Sequence, residues 1–119
     1  MNGNEIDMRM FAQRAGASVS YPAGSFVFKK DDPDSCMYIV QSGVIEMLIS
    51  DTVVETCGPN EAIGFMSMVD GAARSSTARV KEACELSLID QRKFRFMVDE
   101  VPNFVLYIMG ARWRGGSAA

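Results

Sequence analysis

From Ser18 to Ile89 the chain is a succession of short β-forming runs, each cut after a few residues by turn-forming ones. Ser18–Tyr21 ends at Pro22-Ala23-Gly24. Ser25–Lys29 alternates Phe26 and Phe28 with Ser25 and Val27, and stops at the polar loop Asp31-Asp32-Pro33-Asp34. Cys36–Gln41 is followed by Ser42-Gly43, then Val44–Ile49, which is expected to form a hairpin with Thr52–Thr56 across Ser50-Asp51. Gly58-Pro59-Asn60 turns the chain before Ala62 and Ile63. Ser75–Val80 and Cys84–Ile89 read as a last pair joined across Lys81-Glu82. Period-two alternation and closely spaced turn residues predict about eight antiparallel strands in a sandwich or barrel, and exclude a helical bundle or a βαβ architecture.

The ends read differently. Glu5–Ala15 is expected to be a helix with Ile6, Met10 and Phe11 on one side, ended by Gly16. After the strands, Asp90 is a good N-cap for a helix that buries Phe94, Met97, Val98 and Val101 at i, i+3, i+4, i+7 spacing. Pro102 closes or kinks that helix, and Asn103 caps a second one carrying Phe104, Tyr107, Ile108 and Trp113. Trp113 reads as a helix-end surface or interface residue, with a lid over a bound base as the alternative. A flexible Gly115–Ala119 tail follows. With no internal repeat or linker, residues 1–119 form one domain: an N-terminal helix over 1–16, strands over 18–90 and C-terminal helices over 91–114.

Composition narrows the functional classes. A chain of 119 residues that is 48% hydrophobic and 23% charged is expected to be a globular, ordered domain. No apolar run approaches the length of a membrane span, and the acidic start MNGNEIDMRM has no signal-peptide core. A cytoplasmic location is expected. A net charge of −3 disfavours a broad nucleic-acid-binding face, and Arg92, Lys93, Arg95, Arg112 and Arg114 read as solvated helix faces or helix-end charges. The three cysteines, Cys36, Cys57 and Cys84, are expected to be buried free thiols. The chain has no histidine, so neither a Ser-His-Asp triad nor a Cys-His pair can be assembled. No enzyme activity, metal or cofactor is expected.

The segment Gly64–Thr77, GFMSMVDGAARSST, carries the chemistry. Small residues beside a short helical turn leave backbone N–H groups free to cradle an anion, and Arg74 supplies a permanent charge with a planar fork of donors. The local alternative pairs Arg74 on the surface with Asp70 or Glu61. Met66 and Met68 are expected to be core.

At these residues the chain resembles the cyclic nucleotide-binding domain family. That family's phosphate cassette reads approximately F-G-E-x-A/S-L, then a loop, then P-R-S/T-A. Here Ile63-Gly64-Phe65-Met66-Ser67-Met68 leads to Ala73-Arg74-Ser75-Ser76 at the same separation. Tyr38, Ile39 and Gly43 resemble the family's Y-x-I-x-x-G stretch. Gly58-Pro59 resembles the turn before the cassette, and Cys84-Glu85-Leu86 and Phe94 the final strand and first closing helix. The likeness runs from about Tyr21 to about Ile108. It implies an eight-stranded antiparallel β-roll, or jelly roll, with an N-terminal helix, a short cassette helix and two C-terminal helices.

The resemblance implies a sensor for cAMP or cGMP, with Arg74 on the cyclic phosphate. Backbone N–H groups of Met66, Ser67 and Ser75 would complete the cradle, Gly64 would allow close approach, and Ser75 would add its hydroxyl. The candidate site is therefore Gly64, Phe65, Met66, Ser67, Arg74, Ser75 and Ser76. Two positions depart from the pattern. Phe65 replaces the glutamate that accepts from the ribose 2′-hydroxyl, and Ala73 replaces the proline before the arginine. Losing a charge-assisted hydrogen bond costs roughly 1.5–3 kcal/mol. Phe65 is expected to be core, to pack on the sugar or to fill the pocket; the last makes the domain a non-binding interaction module. The C-terminal helix is expected to serve a protein partner or a homodimer. With no room after it for a recognition helix, this chain is not expected to bind DNA.

Overall fold

The computed structural model describes residues 17–100. The expected helix over 1–16 and the expected second C-terminal helix, with Trp113, lie outside the described residues. Within them are six strands, β1 (Ala17–Tyr21), β2 (Phe26–Phe28), β3 (Met37–Ile49), β4 (Thr52–Cys57), β5 (Ala62–Ile63) and β6 (Thr77–Ile89). There are two helices, α1 (Phe65–Asp70) and α2 (Gln91–Glu100).

The architecture is a mainly β, antiparallel roll built on one long pair. β3 runs against β6 from Met37 opposite Ile89 to Leu48 opposite Thr77. β1 pairs with the C-terminal half of β6 and β2 with its N-terminal end. β4 and β5 attach to β3, giving the order β1-β6-β3-β4.

Two expected turns are strand interior, which accounts for six strands in place of about eight. Ser42-Gly43 and Lys81-Glu82 both lie within the long pair, where the β3–β6 register shifts between Val40 and Ile45. Gly43 has φ 92, and a Cβ there would run into the backbone of Ala83 and Cys84. This glycine therefore marks a close crossing of two bent strands, a recognised use of glycine within a sheet. Lys81-Glu82 holds no Gly, Pro or Asn, the residues that a tight turn requires. The hairpin across Ser50-Asp51 does form, with φ 50 and φ 67 at its two central residues, the backbone that matches strand twist. Asn60, at φ 72, completes the expected Gly58–Asn60 turn.

Alternation directs Phe28, Tyr38, Val40, Ile45, Met47, Ile63, Ala78, Val80 and Leu86 into one buried cluster, with Cys57 and Cys84 among them. Met37 and Ile39, on the opposite face of β3, are also fully buried. α1 packs against β3 and α2 against β6. α2 starts as expected: the Lys93 N–H donates to Asp90 Oδ1 at 2.8 Å, a side-chain N-cap. Met97 is buried and Phe94 and Val98 are half-buried, whereas Phe96 is exposed. Arg92 and Arg95 are exposed as expected, and Lys93 is half-buried.

Candidate functional site

The Gly64–Ser76 segment lies between β5 and β6 and is held from both sides. Gly64, at φ 78, leads into α1, and Gly71, at φ 70, ends it by donating its N–H to the Ser67 carbonyl, an αL stop. Asp70 Oδ1 accepts the Ala72 N–H at 2.9 Å, which folds the chain back. The backbone of Arg74 then pairs with the loop after β2: its N–H donates to the Asp32 carbonyl at 2.9 Å, and its carbonyl accepts the Asp31 N–H at 2.8 Å. Thr77 Oγ1 accepts the Lys30 N–H at 3.0 Å. The polar loop Asp31–Asp34 is thus the structural partner of the segment.

Arg74 is 2% exposed. Its Nη1 donates to the Gly64 carbonyl at 3.0 Å; its Nη2 donates to Asp34 Oδ2 at 3.0 Å and to the Cys36 carbonyl. The guanidinium carbon stands 4.0 Å from the centroid of the Phe28 ring, a cation–π arrangement. Among the described residues, Arg74 Nε is a buried side-chain donor without a hydrogen-bond partner. The surface reading of Arg74 is therefore corrected. Asp70 is engaged with Ala72, Glu61 accepts the Gly58 N–H at 2.6 Å, and the acid that reaches Arg74 is Asp34. Gly64 is required at its place: a Cβ there would stand 2.5 Å from Arg74 Nη1 and 3.1 Å from the Cys36 carbonyl.

Asp34 is shared between two donors, with Oδ1 accepting the Cys36 N–H at 3.0 Å. Burial opposes ionisation of its carboxyl, but the Cys36 N–H and the Arg74 guanidinium outweigh it and hold the group below the ordinary 3.8. The Cys36 thiol is pushed up by burial and by the Asp34 carboxylate, and burial alone raises the Cys84 thiol. Burial, with the Asp34 charge, also holds the Tyr38 phenol above its usual range. Cys57 and Cys84 are buried and Cys36 half-buried, and none of the three is in a disulfide.

Gly64, Ser67, Arg74, Ser75 and Ser76 line one recess, closed by Phe28 from β2 and Met47 from β3. Its volume is about 10 Å³, room for about one water molecule. Phe65 and Met66 are not on its wall. Phe65 is 3% exposed, with its ring centroid 5.9 Å from that of Phe94 on α2. Met68 is buried as expected, but Met66 is 36% exposed and not core, because a six-residue helix lying on β3 has only one covered face. Sequence reasoning missed Phe28, Met47, Asp34 and Cys36. Only the acids of the Asp31–Asp34 loop gave a signal, since a buried arginine needs a carboxylate within reach.

Among the described residues no helix is long and apolar enough to cross a membrane, and no cluster of three or more metal-ligating side chains occurs. The family model for the cyclic nucleotide-binding domain matches residues 18–101. The chain is 25% identical over 92 residues to the cAMP-activated global transcriptional regulator CRP of Salmonella typhimurium, covering 72% of this chain and 44% of that protein. It is 21% identical over 90 residues to the cAMP-dependent protein kinase regulatory subunit of Emericella nidulans, covering 74% of this chain and 22% of that protein. The chain therefore spans less than half the length of these two regulatory relatives. A solved protein from a cyclic-GMP-dependent signalling pathway that regulates bacterial phytopathogenesis superimposes with a TM-score of 0.79 at 24% identity, covering 98% of this chain and 97% of that one. That likeness speaks for the fold. The match over residues 18–101, together with the antiparallel roll that carries the Gly64–Ser76 segment, shows that this chain belongs to the cyclic nucleotide-binding domain family.

Proposed function

We propose that this domain is a sensor that binds cAMP or cGMP at Gly64–Ser76 and relays occupancy through its C-terminal helices to a protein partner or a second copy of itself. The observation that carries the reading is Arg74: a buried guanidinium, with an unpartnered Nε, on the wall of a recess it shares with Gly64, Ser67, Ser75 and Ser76 and with Phe28 and Met47. A buried donor without an acceptor is costly, and an anionic ligand supplies one. In this reading Arg74 holds the cyclic phosphate, with backbone N–H groups of Met66, Ser67 and Ser75 and the hydroxyls of Ser75 and Ser76 around it. A ligand larger than the present recess requires α1 and the Asp31–Asp34 loop to part. Movement of α1 reaches α2 directly, because Phe65 lies on Phe94. No catalytic step is assigned to the site.

Isothermal titration of the chain with cAMP and with cGMP tests this. Saturable heat with at least one nucleotide, lost in Arg74→Ala while the far-ultraviolet dichroism is retained, is the expected result. No heat with either nucleotide at high micromolar concentration refutes it.

One observation favours a second reading. Both terminal nitrogens of Arg74 are already engaged within the chain and the recess admits little more than a water, the arrangement of a domain that uses the fold for protein interaction alone. The same titration separates the two.

A further inference from the structure

We infer that α2 carries a self-complementary face on which two copies of this chain pair, their α2 helices antiparallel about a two-fold axis. This pairing gives the second-copy form of the relay its surface and orientation; its role rests on the reading above, while its existence is tested without nucleotide, so the two fail separately. Phe94, Met97 and Val98 turn one side of α2 inward, toward β6 and Phe65. The opposite side holds Arg92, Arg95, Phe96 and Asp99, all exposed, at i, i+3, i+4 and i+7 spacing. Phe96 is 52% exposed, a ring open to water with an arginine one turn before it and an acid one turn after.

The charges on this face run against the helix that carries them. Arg92 lies in the first turn of Gln91–Glu100 and Asp99 in the last. A helix favours an acid at its N-terminus and a base at its C-terminus, so each of these charges opposes its own dipole. A second α2 laid antiparallel, with the axis between Arg95 and Phe96, reverses this. Arg92 then stands opposite the partner's Asp99 and Arg95 opposite the partner's Phe96, each contact made twice by symmetry. Each helix end gains from its neighbour the charge it lacks, and a guanidinium meets the face of an exposed ring. A parallel pair sets Arg92 against the partner's Arg92 and Asp99 against the partner's Asp99. A face that complements itself in one orientation only is suited to a second copy. The contact is small, because a ten-residue helix is about 15 Å long. It falls in the weak class of interfaces, with a dissociation constant of about 0.1–1 mM.

Sedimentation equilibrium of the full chain without nucleotide, from low micromolar to millimolar concentration, tests this. A monomer–dimer equilibrium is expected. Arg92→Glu and Asp99→Arg each set like charges together twice and should weaken it about tenfold, as should Phe96→Ala. The double variant Arg92→Glu/Asp99→Arg exchanges the two charges and should return to within about threefold of the parent. These positions are exposed, so far-ultraviolet dichroism should be retained in every variant. A chain that stays monomeric throughout overturns the inference, and so does a dimer that the single variants leave unchanged or the double variant fails to restore. Each of these results leaves the nucleotide-binding reading as it stands.

Discussion

Arg74 and Asp34 lie 40 positions apart in the chain and meet at 3.0 Å between Nη2 and Oδ2, the arginine side chain 1% exposed and the aspartate 35%. The pair closes the roll at one end. It ties the segment before β6 to the loop before β3, alongside the backbone bonds that Arg74 exchanges with Asp31 and Asp32. The asymmetry in exposure decides what each partner does. The guanidinium is permanently charged and out of water, so it needs its acceptors in every state of the domain. The carboxylate is partly solvated and is the partner able to let go.

Acid is the first lever. The Asp34 carboxyl titrates below its ordinary 3.8 in the folded protein. Its contribution to stability is therefore present above that value and is lost as pH falls through the lowered folded pKa. Urea unfolding followed from neutral pH to about pH 3 is expected to show Asp34→Asn less stable than the parent at neutral pH, with a shallower loss on acidification. A parent and variant whose midpoints fall in parallel rule out Asp34 as a source of the acid sensitivity.

Two glycines with similar backbone angles are expected to differ widely when replaced by alanine. Gly24 has φ 89 with nothing within 4 Å of an added Cβ, so Gly24→Ala carries only the left-handed penalty, about 1–2 kcal/mol. Gly43 has φ 92 and meets the Ala83 and Cys84 backbone of the neighbouring strand, so Gly43→Ala is expected to cost about 3 kcal/mol or more, or to prevent folding. Chemical denaturation of the two variants side by side decides it, and equal costs contradict the close crossing of β3 and β6.

Phe65 and Phe94 form the contact between α1 and α2, with ring centroids 5.9 Å apart and planes inclined by 53°. Phe65→Ala is expected to destabilise by about 3–5 kcal/mol, and Phe94→Ala, at a half-buried position, by less. The double variant should show a coupling of about 0.5–1.5 kcal/mol. A coupling indistinguishable from zero in the double-mutant cycle means that the rings do not communicate, and removes the direct route from α1 to α2.

The thiols give a check on packing that involves no mutation. In the folded protein only Cys36 should react with a thiol reagent at neutral pH, and slowly, because burial and the Asp34 charge hold its thiol protonated. Cys57 and Cys84 are expected to react only in denaturant. Rapid modification of all three under native conditions contradicts the buried cluster.

Much of the fold was legible from residue pattern. The alternation in Val44–Ile49, the Ser50-Asp51 hairpin, the Gly58–Asn60 turn and the Asp90 cap all depend on neighbours within a few positions, and each forms. The misread turns at Ser42-Gly43 and Lys81-Glu82 show where local reading stops. A glycine placed for a tight crossing and a glycine placed for a turn share the same positive φ, and only the strand on the far side distinguishes them. The site divides the same way. The spacing from Gly64 to Arg74 identified the segment, and Gly64, Ser67, Arg74, Ser75 and Ser76 do converge on one recess.

The sequence by itself determined the strand class, the helix at Asp90, the Gly64–Arg74 spacing and the absence of any histidine chemistry, because periodicity, turn dihedrals and residue chemistry are local properties. The tertiary structure alone decided that Arg74 turns inward to Asp34 and that Phe65 turns away from the recess to Phe94. Both outcomes are set by burial. A guanidinium taken out of water is held where carbonyls and a carboxylate converge, and a phenyl ring where another ring excludes water. The partners in these contacts come from separate strands, loops and helices brought together only by the roll.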